Sequence, residues 1–332
     1  MPIPVTIIEK HMNSKRKINK TEKICFIVNP KAGSGSAKSK KRKLEKQASS
    51  FFAHWEIRET QYAGHAQKLA KEICIEGFDI IGVVGGDGTC HEVLNGMIEN
   101  DEPINPNTSL ALIPAGTGSD FLRTLPTTKD PIEALHIAAF GQDHVIDIGK
   151  CTTQEKERYF INVAGFGVNG EVAERSNNSS KMFGGRVTFV KATLQSSLSY
   201  KPQTVSLKWE HEEKEHSWIG DVLSCFIANG QYCGGGMNVG ASGSIDDGLA
   251  DITLLEPIGP IEQVLKLRKL YNGTIHELKQ VRQFQSTALH ATARKDATVK
   301  IELDGECGGN LPAKFQILPQ KLRIRSNWQK NQ

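Results

Sequence analysis

Residues 83–96 read VVGGDGTCHEVLNG. An apolar run (DIIGVV, 79–84) stops there at two glycines; an aspartate, a third glycine and a threonine precede a segment with helical spacing. Glycines at such a stop let the backbone turn sharply and let a bulky group approach it closely. The start of a helix adds unpaired N–H groups and the positive end of a dipole, which suit phosphate. Asp87 does not suit direct phosphate contact, because two anions repel. A cation held between them reconciles the two. The same order of strand, glycine turn and acid recurs at IPAGTGSDF (113–121), which ends on Asp120 and Phe121. A third loop, VNPKAGSGSAKSKK (28–41), offers Lys31 and the N–H groups around Gly33 to Ser36 to phosphate. It lacks the G-K-[ST] ending of a Walker loop. Taken alone, a glycine-serine loop before a helix is a connector more often than a phosphate cradle.

These loops need strands to carry them. KICFIVN (23–29), HWEIRET (54–60), DIIGVV (79–84) and SLALIP (109–114) read as strands. Between and after them, helical patterns run from Ala37 to Phe52 and over AQKLAKEICIEG (66–77), EVLNGMIEN (92–100) and PIEALHIAAFG (131–141). The last opens with proline and closes with glycine, the usual helix punctuation. Alternation of this kind predicts an open, mainly parallel sheet covered on both faces. In such a sheet, loops at the carboxyl ends of the strands gather along one edge, where ligands bind. Three glycine loops in one half of the chain therefore support one another.

After about residue 144 the pattern changes. VIDIGKC, RYFINVAG, QTVSLKW, DVLSCFIAN, LADITLLEP, STALHATA and ATVKIELDG are short and β-branched, and HEEKEH (211–216) reads as an exposed hairpin end. Two helices interrupt them, RVTFVKATLQSSLSY (186–200) and PIEQVLKLRKLYNG (260–273). This predicts an antiparallel β domain, a sandwich or barrel. KFQILPQKLRIR (314–325) could close either half.

The chain has 332 residues, long enough for two domains, with 38% hydrophobic and 23% charged residues. A net charge of +4 gives no case for nucleic acid. Residues 10–23 carry six lysines and arginines against Glu22. That is a solvated, flexible arm or a weak attraction to an anionic membrane surface. No apolar run approaches the roughly 18–20 residues of a membrane span, and no signal peptide is evident. Seven dispersed cysteines without a C-x-x-C pair point to small buried thiols of a reducing cytoplasm rather than disulfides or zinc.

VNPKAGSG, GGDGTCHEVLNG and PAGTGSDF, followed by DDGLADI (246–252) and LDGE (303–306), resemble the diacylglycerol kinase-type catalytic family. The likeness is nearest to its soluble bacterial lipid kinases, with sphingosine and ceramide kinases more distant. It implies an α/β plus all-β protein: an N-terminal three-layer doubly wound α/β nucleotide domain and a C-terminal antiparallel β-sandwich. The expected division is a basic arm over 1–22, a nucleotide domain over 23–143 completed by 314–332, and a sandwich over 144–313. ATP and a lipid would meet in the cleft between them.

The resemblance also implies roles. Asn29, Pro30, Lys31, Gly33, Gly35, Thr60, Gly85, Gly86, Asp87, Gly88, Thr89, Cys90, His91 and Thr117 would contact ATP. Asp87 and Asp120 would hold its Mg²⁺, and Glu306 would be the general base with Asp304 as a supporting carboxylate. Ser244, Asp247 and Leu249 would form a second Mg²⁺ site away from the chemistry. Read from the residues alone, Asp-Gly-Glu is also an ordinary hairpin sequence, and DDG an ordinary turn with exposed acids. A histidine at a helix start is usually only a surface or capping residue. Two positions depart from the family pattern: Ser119 stands where many members have asparagine, and His91-Glu92 replaces Asn-Glu. The expected activity is phosphorylation of a hydroxyl of diacylglycerol or a related lipid, by a cytoplasmic protein visiting the inner membrane face. An NAD kinase-like enzyme and a non-catalytic lipid- or nucleotide-binding regulator are the alternatives. Whether the chain forms a homodimer stays open.

Overall fold

The computed structural model describes residues 22–114, 120–125, 128–178, 185–211, 213–240 and 243–327. The basic arm (apart from Glu22), Thr117 and Ser119 lie outside the described residues.

Four parallel strands form the first half of the fold: β1 (Lys23–Val28), β2 (His54–Glu59), β3 (Ile80–Gly85) and β4 (Ser109–Pro114), in spatial order β2-β1-β3-β4. β1, β3 and β4 are apolar at almost every position because both faces of the sheet are covered there, whereas β2 at the edge is half-exposed. Ile24, Phe26 and Val28 of β1 pack beneath α1 (Ser36–Phe51) and α5 (Pro131–Phe140). Cys25 and Ile27 face the opposite way, toward α2 (His65–Ile75) and α3 (Asp87–Met97). A single helical turn, α4 (Phe121–Thr124), follows the third glycine loop. The order reverses between β1 and β3, so the crevice beyond their carboxyl ends is the natural ligand site of this sheet.

α3 starts five residues before the helical run expected at 92–100 and ends at Met97. The GDGT residues are thus its first turn rather than a loop ahead of it. Glycine twice in that turn and Asn95 further on weaken the helical signal. Burial of Val93, Leu94 and Met97 against the sheet overrides it.

The second half is a sandwich. One sheet contains β7 (Val163–Gly167), β10 (Ser224–Ala228), β11 (Ala250–Leu255), β12 (Val281–Ser286), β14 (Lys300–Leu303) and β15 (Glu306–Asn310), in order β12-β11-β10-β7-β14-β15 and antiparallel throughout. The other is an extension of the first sheet, through β8 (Gln203–His211), β9 (Lys214–Val222) and β13 (Ala288–Ala293). β5 (Gln142–Thr153) joins this sheet by pairing with its long last strand, and β6 (Glu157–Phe160) pairs with β5. Phe160, Phe166, Ile227, Ile301 and Phe315 fill the space between the sheets.

β16 (Ala313–Ser326) joins the halves. Its start pairs with β13, its end runs parallel to β4, and β5 follows it along most of its length. The KFQILPQKLRIR segment therefore belongs to both packing environments at once. Three segments differ from the sequence reading. RYFINVAG is two strands broken at Ile161-Asn162, and DVLSCFIAN is divided at Leu223 between β9 and β10. A helix, α6 (Val168–Asn178), stands where none was expected, beside α7 (Gly185–Ser199) and α8 (Pro260–Tyr271). It has few apolar residues because one side of it borders a cavity.

Candidate active site

β1 and β3 end next to each other at Asn29 and Gly86. The Asn29 N–H donates to the Val84 carbonyl at 3.1 Å, and its side-chain amide donates to Thr89 Oγ at 3.1 Å. The first and second glycine loops are thus tied across the point where the strand order reverses. Asn29 Oδ1 accepts the Lys31 N–H at 3.0 Å, which curls the first loop back on itself. Gly85 must be glycine here, because a Cβ would lie 2.6 Å from the Thr89 side chain. The first-turn N–H groups of α3 open onto the same crevice, as a helix start must leave them.

Asp87 and Asp120 face one another at its floor. The Asp120 N–H donates to Asp87 Oδ2 at 3.3 Å; Asp120 in turn accepts from the Gly235 N–H at 2.6 Å and lies 3.3 Å from Arg123 Nε. Burial, and then the charges of Asp120 and Asp304, push the Asp87 carboxyl up to about 7. Two buried carboxyls this close disfavour each other's ionisation. A divalent cation between them would reverse that, and oxygen donors of this kind suit a hard ion such as Mg²⁺. The donor set fits.

The opposite wall is the hairpin between β14 and β15. Asp304 and Gly305 both have positive φ, 52° and 84°, in the two-residue turn that Asp-Gly favours. The Asp304 carboxylate gathers the backbone N–H groups of Ile161 (2.9 Å), Asn162 (2.9 Å) and Val163 (3.2 Å). These are the residues where β6 breaks from β7, so the break has a partner for its free donors. His91 Nδ1 lies 3.1 Å from Asp304 Oδ2. A carboxylate oxygen that already accepts can only accept again, so Nδ1 carries the proton and donates.

Asp304 delivers Glu306. Its Oε2 accepts from the Asn177 amide of α6 at 3.2 Å. A Cβ on Gly88 would sit 2.5 Å from its Oε1, so the glutamate reaches over the GDGT turn at a point where only glycine fits. The chain thus brings GGDGT and LDGE, over 200 positions apart, into contact.

A cavity of about 1060 Å³ opens from these groups. Asn29, Lys31, Gly33, Thr60, Gly86, Asp87, Gly88, Thr89, Cys90, Asp120, Asp304 and Glu306 line it. Pro30, Gly85 and His91 are not among the lining residues, and His91 is only 3% exposed, engaged with Asp304. Beyond the acids the wall turns apolar, with Val172 of α6, Phe226, Met237, Leu255 and Leu267. Sequence reasoning missed Glu302, Asn177 and this apolar wall. Glu302 sits in an I-E-L alternation that reads as a solvated strand face.

Ser244, Asp247 and Leu249 share one turn, none of them lining the cavity. Ser244 Oγ donates to Asp246 at 2.5 Å, and Asp247 accepts the Leu249 N–H at 3.0 Å. Asp147 behind them is occupied by the N–H groups of Gly248 (2.7 Å) and Gln320 (2.8 Å). Among the described residues no group of three His, Cys, Asp or Glu side chains is arranged to hold a metal.

The raised Asp87 carboxyl generates a prediction. Below pH 7 Asp87 holds a proton that a cation must displace, and above pH 7 it does not. Calorimetric affinity for Mg²⁺-nucleotide is expected to fall by up to about tenfold from pH 7 to pH 6 and to stay level from pH 7.5 to 8.5. Equal affinities at pH 6 and pH 8 would remove Asp87 from contact with the ion.

The model of the diacylglycerol kinase catalytic domain matches residues 23–151, and that of the YegS C-terminal NAD kinase beta sandwich-like domain matches 162–326. The chain is 27% identical to a diacylglycerol kinase of Bacillus subtilis, over 80% of this chain and 83% of that one. It is 27% identical to a diacylglycerol kinase of Staphylococcus carnosus, over 80% and 82%. A crystal structure of a diacylglycerol kinase from Bacillus anthracis, 21% identical, superposes with a TM-score of 0.68 over 93% of this chain and 98% of that one, which shows the shared fold. The two domain models lie end to end over most of the chain, the loops of the first and the LDGE hairpin of the second enclose one cavity, and the chain belongs to the diacylglycerol kinase catalytic-domain family.

Proposed function

We propose that this protein is an ATP- and Mg²⁺-dependent lipid kinase that phosphorylates a hydroxyl of diacylglycerol or a related lipid. One observation carries the reading: Glu306 Oε1 lies against Gly88, at the junction of the phosphate-binding loops and the apolar end of the cavity. A base placed there reaches a hydroxyl whose hydrocarbon tail occupies the apolar wall.

The polyphosphate of ATP would rest on the N–H groups of the α3 start, with Lys31 beside it. Asp87 and Asp120 would hold Mg²⁺, which neutralises charge on the transferring phosphoryl group. Glu306 accepts the proton of the lipid hydroxyl as its oxygen bonds to the γ-phosphorus and the bond to the leaving ADP oxygen breaks. Asn177 donates to Glu306 Oε2, while Oε1 is turned toward Gly88 and the GDGT turn. His91 acts behind this surface, by fixing Asp304 from α3.

Access from a membrane is part of the proposal. Among the described residues no helix is long and apolar enough to cross a bilayer. Ile261 and Leu265 of α8 are 76% and 73% exposed, one helical turn apart, and Leu194 and Leu198 of the neighbouring α7 are also exposed. The other side of α8 presents Leu267 and Leu270 to the cavity. An apolar rim continuous with an apolar cavity suits a lipid passing from a bilayer, and Arg268 on α8 suits an anionic surface.

Transfer of radiolabelled γ-phosphate from ATP into a chloroform-soluble product tests the function. Label is expected in lipid from the wild-type chain. Glu306→Gln is expected to lower turnover by roughly 10²–10⁴ with ATP affinity within a few-fold. Label in NADP instead, or near-normal turnover by Glu306→Gln, would overturn the assignment. The rim is checked by sedimentation with anionic vesicles, where the double variant Ile261→Glu, Leu265→Glu is expected to bind several-fold less than wild type. Equal sedimentation would move the membrane contact elsewhere.

A further inference from the structure

Glu302 has no role in the chemistry above, yet it is a glutamate only 6% exposed on the cavity wall. Its neighbours on β14, Ile301 and Leu303, point into the sandwich core, so the strand alternation puts Glu302 on the opposite face. There it is paired across the sheet with Gly165 of β7, which in turn pairs with Phe226 of β10. Gly165 has no side chain, and the Asn169 amide of α6 fills the position between Glu302 and Phe226, where a Cβ would lie 2.1 Å from its nitrogen.

One carboxyl oxygen of Glu302 is used. Oε2 accepts the Gly305 N–H at 2.9 Å, from inside the Asp304-Gly305 turn. Among the described residues none donates to Oε1, and no lysine or arginine pairs with the group. The ionisable side chains around it are Asp304 and Glu306 on its own hairpin, Cys307 across the hairpin, and Cys233 on the facing ribbon. A buried carboxyl beside two others with no cation keeps its proton. Burial, then the charges of Asp304 and Glu306, push it up to about 8, against the Gly305 hydrogen bond that favours ionisation. Oε1 is therefore free to carry an O–H donor at neutral pH.

We propose that Glu302 recognises the acceptor lipid by donating a hydrogen bond from Oε1 to an ester carbonyl beside the reacting hydroxyl, so that the site prefers acylglycerols. The inference rests on the lipid-kinase reading. A lipid hydroxyl next to Glu306 places the adjoining glycerol substituents along the same hairpin, at the boundary with Phe226 and Met237. An ester carbonyl accepts and never donates, which matches a protonated carboxyl. An ether oxygen is a poorer acceptor, and the ammonium of an amine-bearing lipid needs an ionised partner.

The test compares KM for dioctanoylglycerol with KM for its dioctyl ether analogue, in wild type, E302Q and E302L, at pH 6.5 and pH 9. The ratio is internal to each protein, so partial loss of folded enzyme cancels. Wild type is expected to favour the ester by about fivefold at pH 6.5, the worth of one neutral hydrogen bond, and to lose the preference at pH 9. E302Q, whose amide oxygen can accept from Gly305 while its NH₂ donates, is expected to keep the preference at both pH values. E302L is expected to show none. The same ratio in E302L as in wild type, a wild-type ratio near one at pH 6.5, or E302Q matching E302L would overturn the inference. Phosphorylation of both lipids without discrimination overturns it alone. Phosphorylation of neither overturns the lipid-kinase reading as well.

Discussion

One carboxylate holds this site together. Asp304 is a nearly fully buried charge that takes the backbone N–H groups of three consecutive residues, 161 to 163, and the imidazole of His91. Hydrogen bonds to a charged acceptor are worth about 1.5–3 kcal/mol each, and leaving such a charge unpaired in the interior costs more. The arrangement is therefore close to all-or-none: the β6–β7 break, the β14–β15 turn and the start of α3 must come together for any of them to be satisfied. His91 is on the GDGT helix and Asp304 on the LDGE hairpin. Their contact fixes how far Glu306 stands from the turn that would carry phosphate.

The remaining acids follow from that closure. Asp87, Asp120, Asp304 and Glu302 converge on a small volume with Arg123 and Lys31 at its edges. Asp87 and Glu302 respond by holding protons, pushed up to about 7 and about 8. The two sites differ in what relieves them. Asp87 faces another carboxyl across the crevice and is relieved by a cation. Glu302 is buried on the cavity wall with Asp304 and Glu306 nearby, and these outweigh the Gly305 N–H, so that staying neutral is the lower-energy state.

Much of this was legible in the sequence, and the remainder was hidden for physical reasons. Three of the four parallel strands show because a sheet covered on both faces leaves apolar runs such as KICFIV and IIGVVG. The acids show because glycines isolate them at strand ends. The α3 start was misplaced because Gly88 and Thr89 are poor helix formers, held in helix by the burial of Val93 and Leu94. The RYFINVAG break could not be seen, since its cause, Asp304, is over 140 positions away. α6 carries only Val168, Val172 and Ala173 as an apolar signal, because its exposed side borders the cavity instead of water or core. His91 reads as a surface cap until the second half of the chain covers it. Residues whose roles depend on a neighbour supplied by distant chain are the ones local pattern cannot reveal.

The central claim is that Asp304 serves catalysis through the placement of Glu306. A double-mutant cycle in turnover tests it most directly, with Asp304→Asn, Glu306→Gln and the pair measured on one dispersed lipid at saturating ATP, each protein checked for folding by thermal unfolding. If Asp304 acts only by positioning Glu306, the pair should turn over no more slowly than Glu306→Gln alone, because the second loss removes something already gone. Losses that multiply in the pair would contradict the account and give Asp304 a contribution of its own.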